Sequence, residues 1–353
     1  MPMIKWVISK YLFLIAAIFL LSSCQAKKVD TNSVLDIEED TLTIEELVED
    51  RAIEKPKEYF KVEQKVIVKD YFQWMANVLD SLNSDRNYEI DEYALVQSNK
   101  WIIDTLRNTD YYYLKGKGIL SKDPTAHTIV ESGTMLLVPD SMEVVNIWKK
   151  LNEVYIDLNI PEYQMRIKQG DSILYQFTAR VGRNESRFLA MAGREISLRT
   201  MPGTGTIVRI NRNPTFINPK DNKRYKVTRR DDQVVTALPN IPWIEPEING
   251  IRYGHLIHPT TNLETLGKAS SNGCIGLRES DAWTVYFYAP LGTEIVIRYD
   301  LEVKNEADSV ITLKNIYPGF EKKKVERKLR PALASITDIQ DDGTPVCYCG
   351  KVD

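Results

Sequence analysis

The sequence predicts a mainly β domain over about residues 151–300, preceded by a smaller helical or α/β region over 59–150. Three observations carry this. From Val154 onward apolar residues alternate (Val154, Ile156, Leu158, Ile160, then Met165 and Ile167), which is the period of strands with one buried face. Before that point they recur at helical spacing, as in Ile67, Tyr71, Trp74, Val78 and Leu82. Turn residues punctuate the later half: Gly170-Asp171, Asn213-Pro214 and Asn218-Pro219.

The chain opens on a targeting pattern. Lys5 and Lys10 flank a short apolar run, Tyr11 to Leu21. That run falls short of the roughly 20 residues a membrane span needs and fits the core of a secretory signal over residues 1–23. Leu21-Ser22-Ser23-Cys24 resembles a bacterial lipobox. The resemblance implies that Cys24 is lipidated and becomes the first mature residue, anchoring the protein to a membrane of the cell envelope, outside the cytoplasm. Residues 24–58 then read as an acidic flexible linker, since Asp30 to Asp50 carries many acids and no Lys or Arg.

Within 59–150, Tyr59 to Leu82 and Tyr93 to Arg107 each carry an apolar helical stripe that reads as core. Tyr111-Tyr112-Tyr113 is expected to be buried. Lys115-Gly116-Lys117-Gly118 reads as a loop without the spacing of a phosphate cradle. Thr128 to Pro139 resembles the last strand of a LysM-type glycan-binding module. The rest of such a module is not recognisable, so a small generic α/β unit is the reading, with His127 a surface loop residue.

The β region begins with a hairpin through Val181. Thr200 to Ile210 is a further strand. Lys223 to Arg230, followed by Asp231 and Asp232, reads as a solvated hairpin tip. Pro239 to Pro246 is excluded as a central strand because proline lacks the ladder donor, and reads as a loop presenting Trp243. A helix is expected from Glu279 to about Pro290, then a last strand, Leu291 to Tyr299. Residues 301–353 form a polar extension, with one strand within Val310–Tyr317 and a charged, solvated helix over Glu321–Arg330. Cys347 and Cys349 close it without an assigned role.

A net charge of −3 and the lack of a basic stripe exclude nucleic acid as a partner. Four cysteines are too few for a disulfide framework. No feature sets an oligomeric state. The chemistry concentrates in Gly254–Leu277, which holds two of the chain's three histidines and Cys274. A thiol is a weak nucleophile until a base takes its proton, and an imidazole does so near neutral pH. Read as a strand, His255–His258 turns its two histidines to opposite faces, so only one faces Cys274, taken to be His258. The same geometry disfavours a shared metal, and no other Cys/His cluster completes a zinc site. Gly273 and Gly276 permit tight turns and close approach of a substrate to Cys274.

These residues carry a resemblance. The run from about Val154 to Asp300 resembles the YkuD-type L,D-transpeptidase catalytic domain. Ile257-His258, Gly267 and Ser271-Asn272-Gly273-Cys274-Ile275 match its histidine, glycine and S/T-x-G-C-[IV] motifs. Thr200–Ile207 and Gly292–Ile297 resemble its flanking strands. The resemblance implies a β-sandwich or barrel with a short helix. It implies Cys274 as nucleophile and His258 as base, with an oxyanion held by the Gly273 and Cys274 amides. Ser271, Asn272, Trp243 and Tyr253 would line a cleft for peptidoglycan stem peptides, and no cofactor is needed. Three positions depart from the pattern. Pro259 replaces a glycine, though its carbonyl still serves to orient the histidine ring. Asn272 stands where histidine is common. Gly276 stands where arginine is usual, and Arg278, two residues on, is the candidate to supply that charge. Two other readings keep these residues: an L,D-carboxypeptidase, with water as acceptor, and a non-catalytic wall-binding lipoprotein.

Overall fold

The computed structural model describes residues 56–189, 193–217, 223–304 and 307–327. The signal segment, Cys24 and the Cys347–Cys349 pair lie outside them.

One eight-stranded sheet organises the β region. Its strands, in chain order, are β1 (Val154–Asn159), β2 (Gln164–Gln169), β3 (Ser172–Thr178), β4 (Gly203–Asn211), β5 (Trp243–Ile248), β6 (Ile257–Pro259), β7 (Ile275–Leu277) and β8 (Glu294–Arg298). The order across the sheet is β7-β6-β5-β4-β8-β1-β2-β3. Two pairings are parallel, β6 with β7 and β8 with β1; the others are antiparallel. The two edges nearly meet. Two residues past β3, Arg180 bridges to Gly276 of β7, and Val181–Gly182 pairs with the strand Ala269–Ser271. The sheet is therefore a nearly closed barrel, and its seam runs beside Cys274. Closure removes the exposed edge that an open sheet would present.

Proline at 246 does not exclude a strand. Pro246 sits inside β5, opposite Ile207 of β4. Ile207 turns its N–H and C=O toward Thr293 and Gly292, and β6 pairs with β5 only at Ile244, so no ladder hydrogen bond calls for an N–H at Pro246.

Among the described residues six α-helices accompany the sheet: α1 (Tyr71–Asn83), α2 (Glu92–Ser98), α3 (Trp101–Arg107), α4 (Tyr111–Gly116), α5 (Ser141–Asn152) and α6 (Glu279–Tyr288). The Tyr93–Arg107 stripe is thus two helices, parted at Asn99, whose side chain bonds the Leu95 and Leu137 carbonyls instead of continuing the helix. The tyrosine run begins α4, capped by Asp110, which accepts from the Tyr112 and Tyr113 amides. Only Tyr111 of the three is fully buried.

The sequence of α6 has no polar stripe, and a helix apolar all round must be covered all round. Its Trp283, Val285, Tyr286 and Phe287 are at most 1% exposed. The sheet covers one side. Helices α1 to α3 cover the other, with Tyr71 edge-on to Trp283 at 6.2 Å and to Phe287 at 6.3 Å. Arg212, just past β4, joins this seam by donating to Tyr286 Oη and the buried Glu92 carboxylate. The helical and β regions consequently share one hydrophobic core, running from Val62 to Tyr317. Each large apolar side chain so buried contributes about 1.5–3 kcal/mol.

Two expectations for charged stretches fail. Arg230, placed at a solvated hairpin tip, is 1% exposed. It ends the first arm of a hairpin, Val227–Arg229 with Val235–Ala237, and turns inward to Glu279 of α6 at 2.7 Å, its guanidinium 4.2 Å from the Tyr111 ring centre. The described part of Glu321–Arg330, residues 321–327, contains no helix. Arg327 instead stacks 3.7 Å above the Tyr155 ring and pairs with Glu294. Within the extension, Val310–Thr312 pairs with Glu302–Lys304, and Tyr317 plugs the core with its hydroxyl donating to the Gly182 carbonyl.

Candidate active site

Cys274 is delivered by a turn that the sequence fixes closely. Ser271 Oγ donates to the Cys274 carbonyl (2.6 Å) and accepts from the Gly273 amide (3.2 Å). The buried Thr200 hydroxyl donates to the Gly273 carbonyl at 2.9 Å. Gly273 has φ +108°, a backbone that disfavours other residues, and the His255 ring lies against its α-carbon. The Cys274 thiol is half-buried, and the Leu256 amide donates to its sulfur at 3.4 Å.

His258 comes from β6, which runs parallel to β7 with His258 level with Gly276, two residues beyond Cys274. Its Nδ1 is 2.8 Å from the Pro259 carbonyl oxygen. A carbonyl only accepts, so Nδ1 carries the proton and Nε2 is left with a lone pair. Trp243 of β5 stands by the ring at 5.6 Å between centroids. Phe216 packs edge-on to Trp243 at 4.9 Å, extending an aromatic wall toward Tyr225.

Burial sets the resting charges. It pushes His258 down to about 4, assisted by the nearby Arg180 cation and opposed by the Pro259 carbonyl. It pushes the Cys274 thiol up, opposed by the Leu256 amide and Arg180. The resting pair is therefore neutral thiol and neutral imidazole.

His258 and Cys274 line one cavity of about 730 Å³, together with Ser271, Asn272, Trp243 and Tyr253. Arg278 does not line it. It is exposed at the N-cap of α6, near Asp281. The N-terminus of α6 is likewise engaged elsewhere, its Ser280 amide donating to Asp110. Among the described residues no group of three or more His, Cys, Asp or Glu could hold a metal ion.

His255 and Arg180 are among the cavity residues that the sequence did not place there. His255 lines it as well, stacked on Tyr253 at 5.5 Å and also pushed down to about 4 by burial. The opposite-face argument assumed a strand from 255, but β6 begins at Ile257 and residues 252–256 are irregular. Gly254, at φ +74°, was the signal for that break. Arg180 is the second. Its guanidinium lies over Gly276, a placement no local motif announces.

No curated protein matches the chain. The structure is similar to an L,D-transpeptidase from Mycobacterium smegmatis (17% identity, TM-score 0.28, covering 41% of this chain and 58% of that one). It is similar to one from Mycobacterium tuberculosis (17%, 0.28, 41% and 57%) and one from Xylanimonas cellulosilytica (11%, 0.31, 68% and 98%). The chain thus spans less than three fifths of the two mycobacterial proteins. Residues 153–297 match the family model YkuD, the L,D-transpeptidase catalytic domain.

Proposed function

We propose that this chain is a peptidoglycan L,D-transpeptidase working through a Cys274 thioester. The observation that carries the reading is the pairing across β6 and β7: a half-buried thiol and an imidazole with Nδ1 fixed on Pro259 open into one cavity. The match of residues 153–297 supports the same class.

In this account Cys274 Sγ attacks the carbonyl at the L-centre of the diamino acid in a stem tetrapeptide, while His258 Nε2 takes the thiol proton. The developing oxyanion is held by the Cys274 amide, which has no acceptor among the described residues, and by the Gly273 amide, whose 3.2 Å bond to Ser271 is weak. The C–N bond to the terminal D-Ala breaks, and His258 returns the proton to the leaving amine. A side-chain amine of a neighbouring stem then attacks the thioester and the thiol is restored. Water in place of the amine gives the carboxypeptidase outcome. Trp243, Asn272 and Tyr253 form the walls of the donor cleft. Cys24 anchors the mature chain in the cell envelope, with the acidic linker as tether.

Muropeptide mass profiles of cells with the protein, without it, and with Cys274→Ala test the reading. The expected result is loss of L,D-linked dimers in both of the latter. Unchanged dimers with altered tetrapeptide-to-tripeptide ratios indicate trimming, and a Cys274→Ala profile equal to wild type refutes catalysis.

A further inference from the structure

Among the described residues two guanidiniums line the cavity, those of Arg180 and Arg183, and no carboxylate does. Arg183 is occupied. It donates to the Ser270 and Ser271 carbonyls (2.7 and 3.2 Å) and meets Glu185 at 3.3 Å. Arg180 is not. Among the described residues it has no carboxylate partner, its Nε is buried without an acceptor, and its one contact is Nη1 to Thr265 Oγ1 at 3.5 Å. A partly buried cation without an anion is costly, so a fold that keeps one is poised to receive an anion.

Its position is dictated by barrel closure. The Arg180 and Gly276 backbones bond in both directions (2.8 and 2.9 Å), which fixes the arginine beside β7. A Cβ on residue 276 would stand 2.8 Å from Arg180 Nε and 3.2 Å from Cζ. A side chain at 276 and this guanidinium therefore compete for one space, two residues past Cys274.

We propose that Arg180 is the carboxylate receptor of this site, filling the space left free at Gly276 and binding the carboxylate of an acyl donor whose carbonyl reaches Cys274. The nature of the donor, a peptide with a free carboxylate near the scissile bond, rests on the transpeptidase reading. The anion preference does not.

Iodoacetate and iodoacetamide differ chiefly in charge, and each alkylates a thiolate with loss of iodide, the thiol proton passing to His258 or solvent. Their rates on Cys274 of the full chain at low salt, each normalised to free cysteine, give a charge preference independent of turnover. Wild type is expected to favour iodoacetate. Arg180→Gln should lower that ratio at least tenfold, and Arg180→Lys should lower it less. Gly276→Ala, whose methyl displaces the guanidinium without removing its charge, should lower it too. A ratio unchanged in Arg180→Gln overturns the proposal. So does an equal fall in both rates, which would make Arg180 only a stabiliser of the thiolate. Should Arg180→Gln not fold, an unchanged ratio in Gly276→Ala overturns it instead. Failure of the transpeptidase reading is recognised separately, as a normal charge preference with no acyl transfer from stem peptides.

Discussion

Replacing Glu279 with alanine tests how the cavity wall is tied to the rest of the fold. Glu279 and Arg230 form an ion pair at 2.7 Å, with side chains 3% and 0% exposed. Arg230 belongs to the hairpin whose Thr228 and Leu238 line the cavity; Glu279 opens α6 and also accepts from the Tyr111 amide. The gross attraction at that distance is about 6 kcal/mol at an effective dielectric near 20, and desolvation of both ions offsets most of it. Breaking the pair is another matter, because the survivor stays buried. Glu279→Ala strands a guanidinium that cannot shed its proton, so the loss should be about 3–5 kcal/mol at pH 8, where the wild-type carboxyl, pushed up to about 7 by burial, is ionised. Arg230→Met strands a carboxyl that can be neutralised, and burial already pushes it up. Its penalty should therefore shrink on acidification, by up to about 1.4 kcal/mol per pH unit, as pH falls from 8 toward the wild-type value of about 7, and level off below it. Replacing both residues, Arg230→Met with Glu279→Leu, should restore stability to within about 1 kcal/mol. Urea unfolding followed by tryptophan fluorescence at pH 8 and pH 5 measures all three. A loss below about 1 kcal/mol in Glu279→Ala, or a pH-independent penalty in Arg230→Met, would refute the reasoning.

Other outcomes follow from the same structure. Burial holds His255 and His258 at about 4 in the fold, while the unfolded chain titrates near 6.5. The unfolded state thus binds more protons in that window, so their contribution is complete above about pH 6.5 and is lost as pH falls toward 4. For partly solvated rings this amounts to roughly 1–3 kcal/mol each. The double change of both histidines to glutamine should flatten the urea midpoint between pH 7 and 4.5, and an unaltered slope would contradict the assignment. Gly182→Ala should destabilise by roughly 2 kcal/mol or more, since its Cβ would stand 2.1 Å from the Leu198 carbonyl oxygen and 2.6 Å from the Thr200 nitrogen. Through Thr200, which holds Gly273, the same change should slow alkylation of Cys274 by iodoacetamide.

Much of the fold was legible because it is local. Alternation marks β1 and β2, helical spacing marks α1, and an acidic start before a Pro-Leu-Gly stop marks α6. His258 and Cys274 line one cavity, as the family resemblance implied, although the strand alternation invoked to choose between the histidines does not extend to His255. What stayed hidden depends on distant partners. Pro246 is tolerated in β5 because Ile207 bonds away from it and β6 stops short of it, which only the partner strands show. Arg230 looks like a surface charge until Glu279 and Tyr111 enclose it. Arg180 reaches Gly276 only when the two ends of the sheet meet, and nothing within either segment encodes that closure. Arg278, two residues from Gly276 in sequence, was the nearer choice along the chain and the farther one in space.

The most direct measurement of the central claim is the intact mass of the full chain after brief exposure to a disaccharide–tetrapeptide, followed by peptide mapping. The account predicts an added mass equal to the donor less D-Ala, carried on Cys274, absent in Cys274→Ala and formed at least a hundredfold more slowly in His258→Gln. An adduct on another residue, no adduct at all, or His258→Gln acylating as fast as wild type would contradict it.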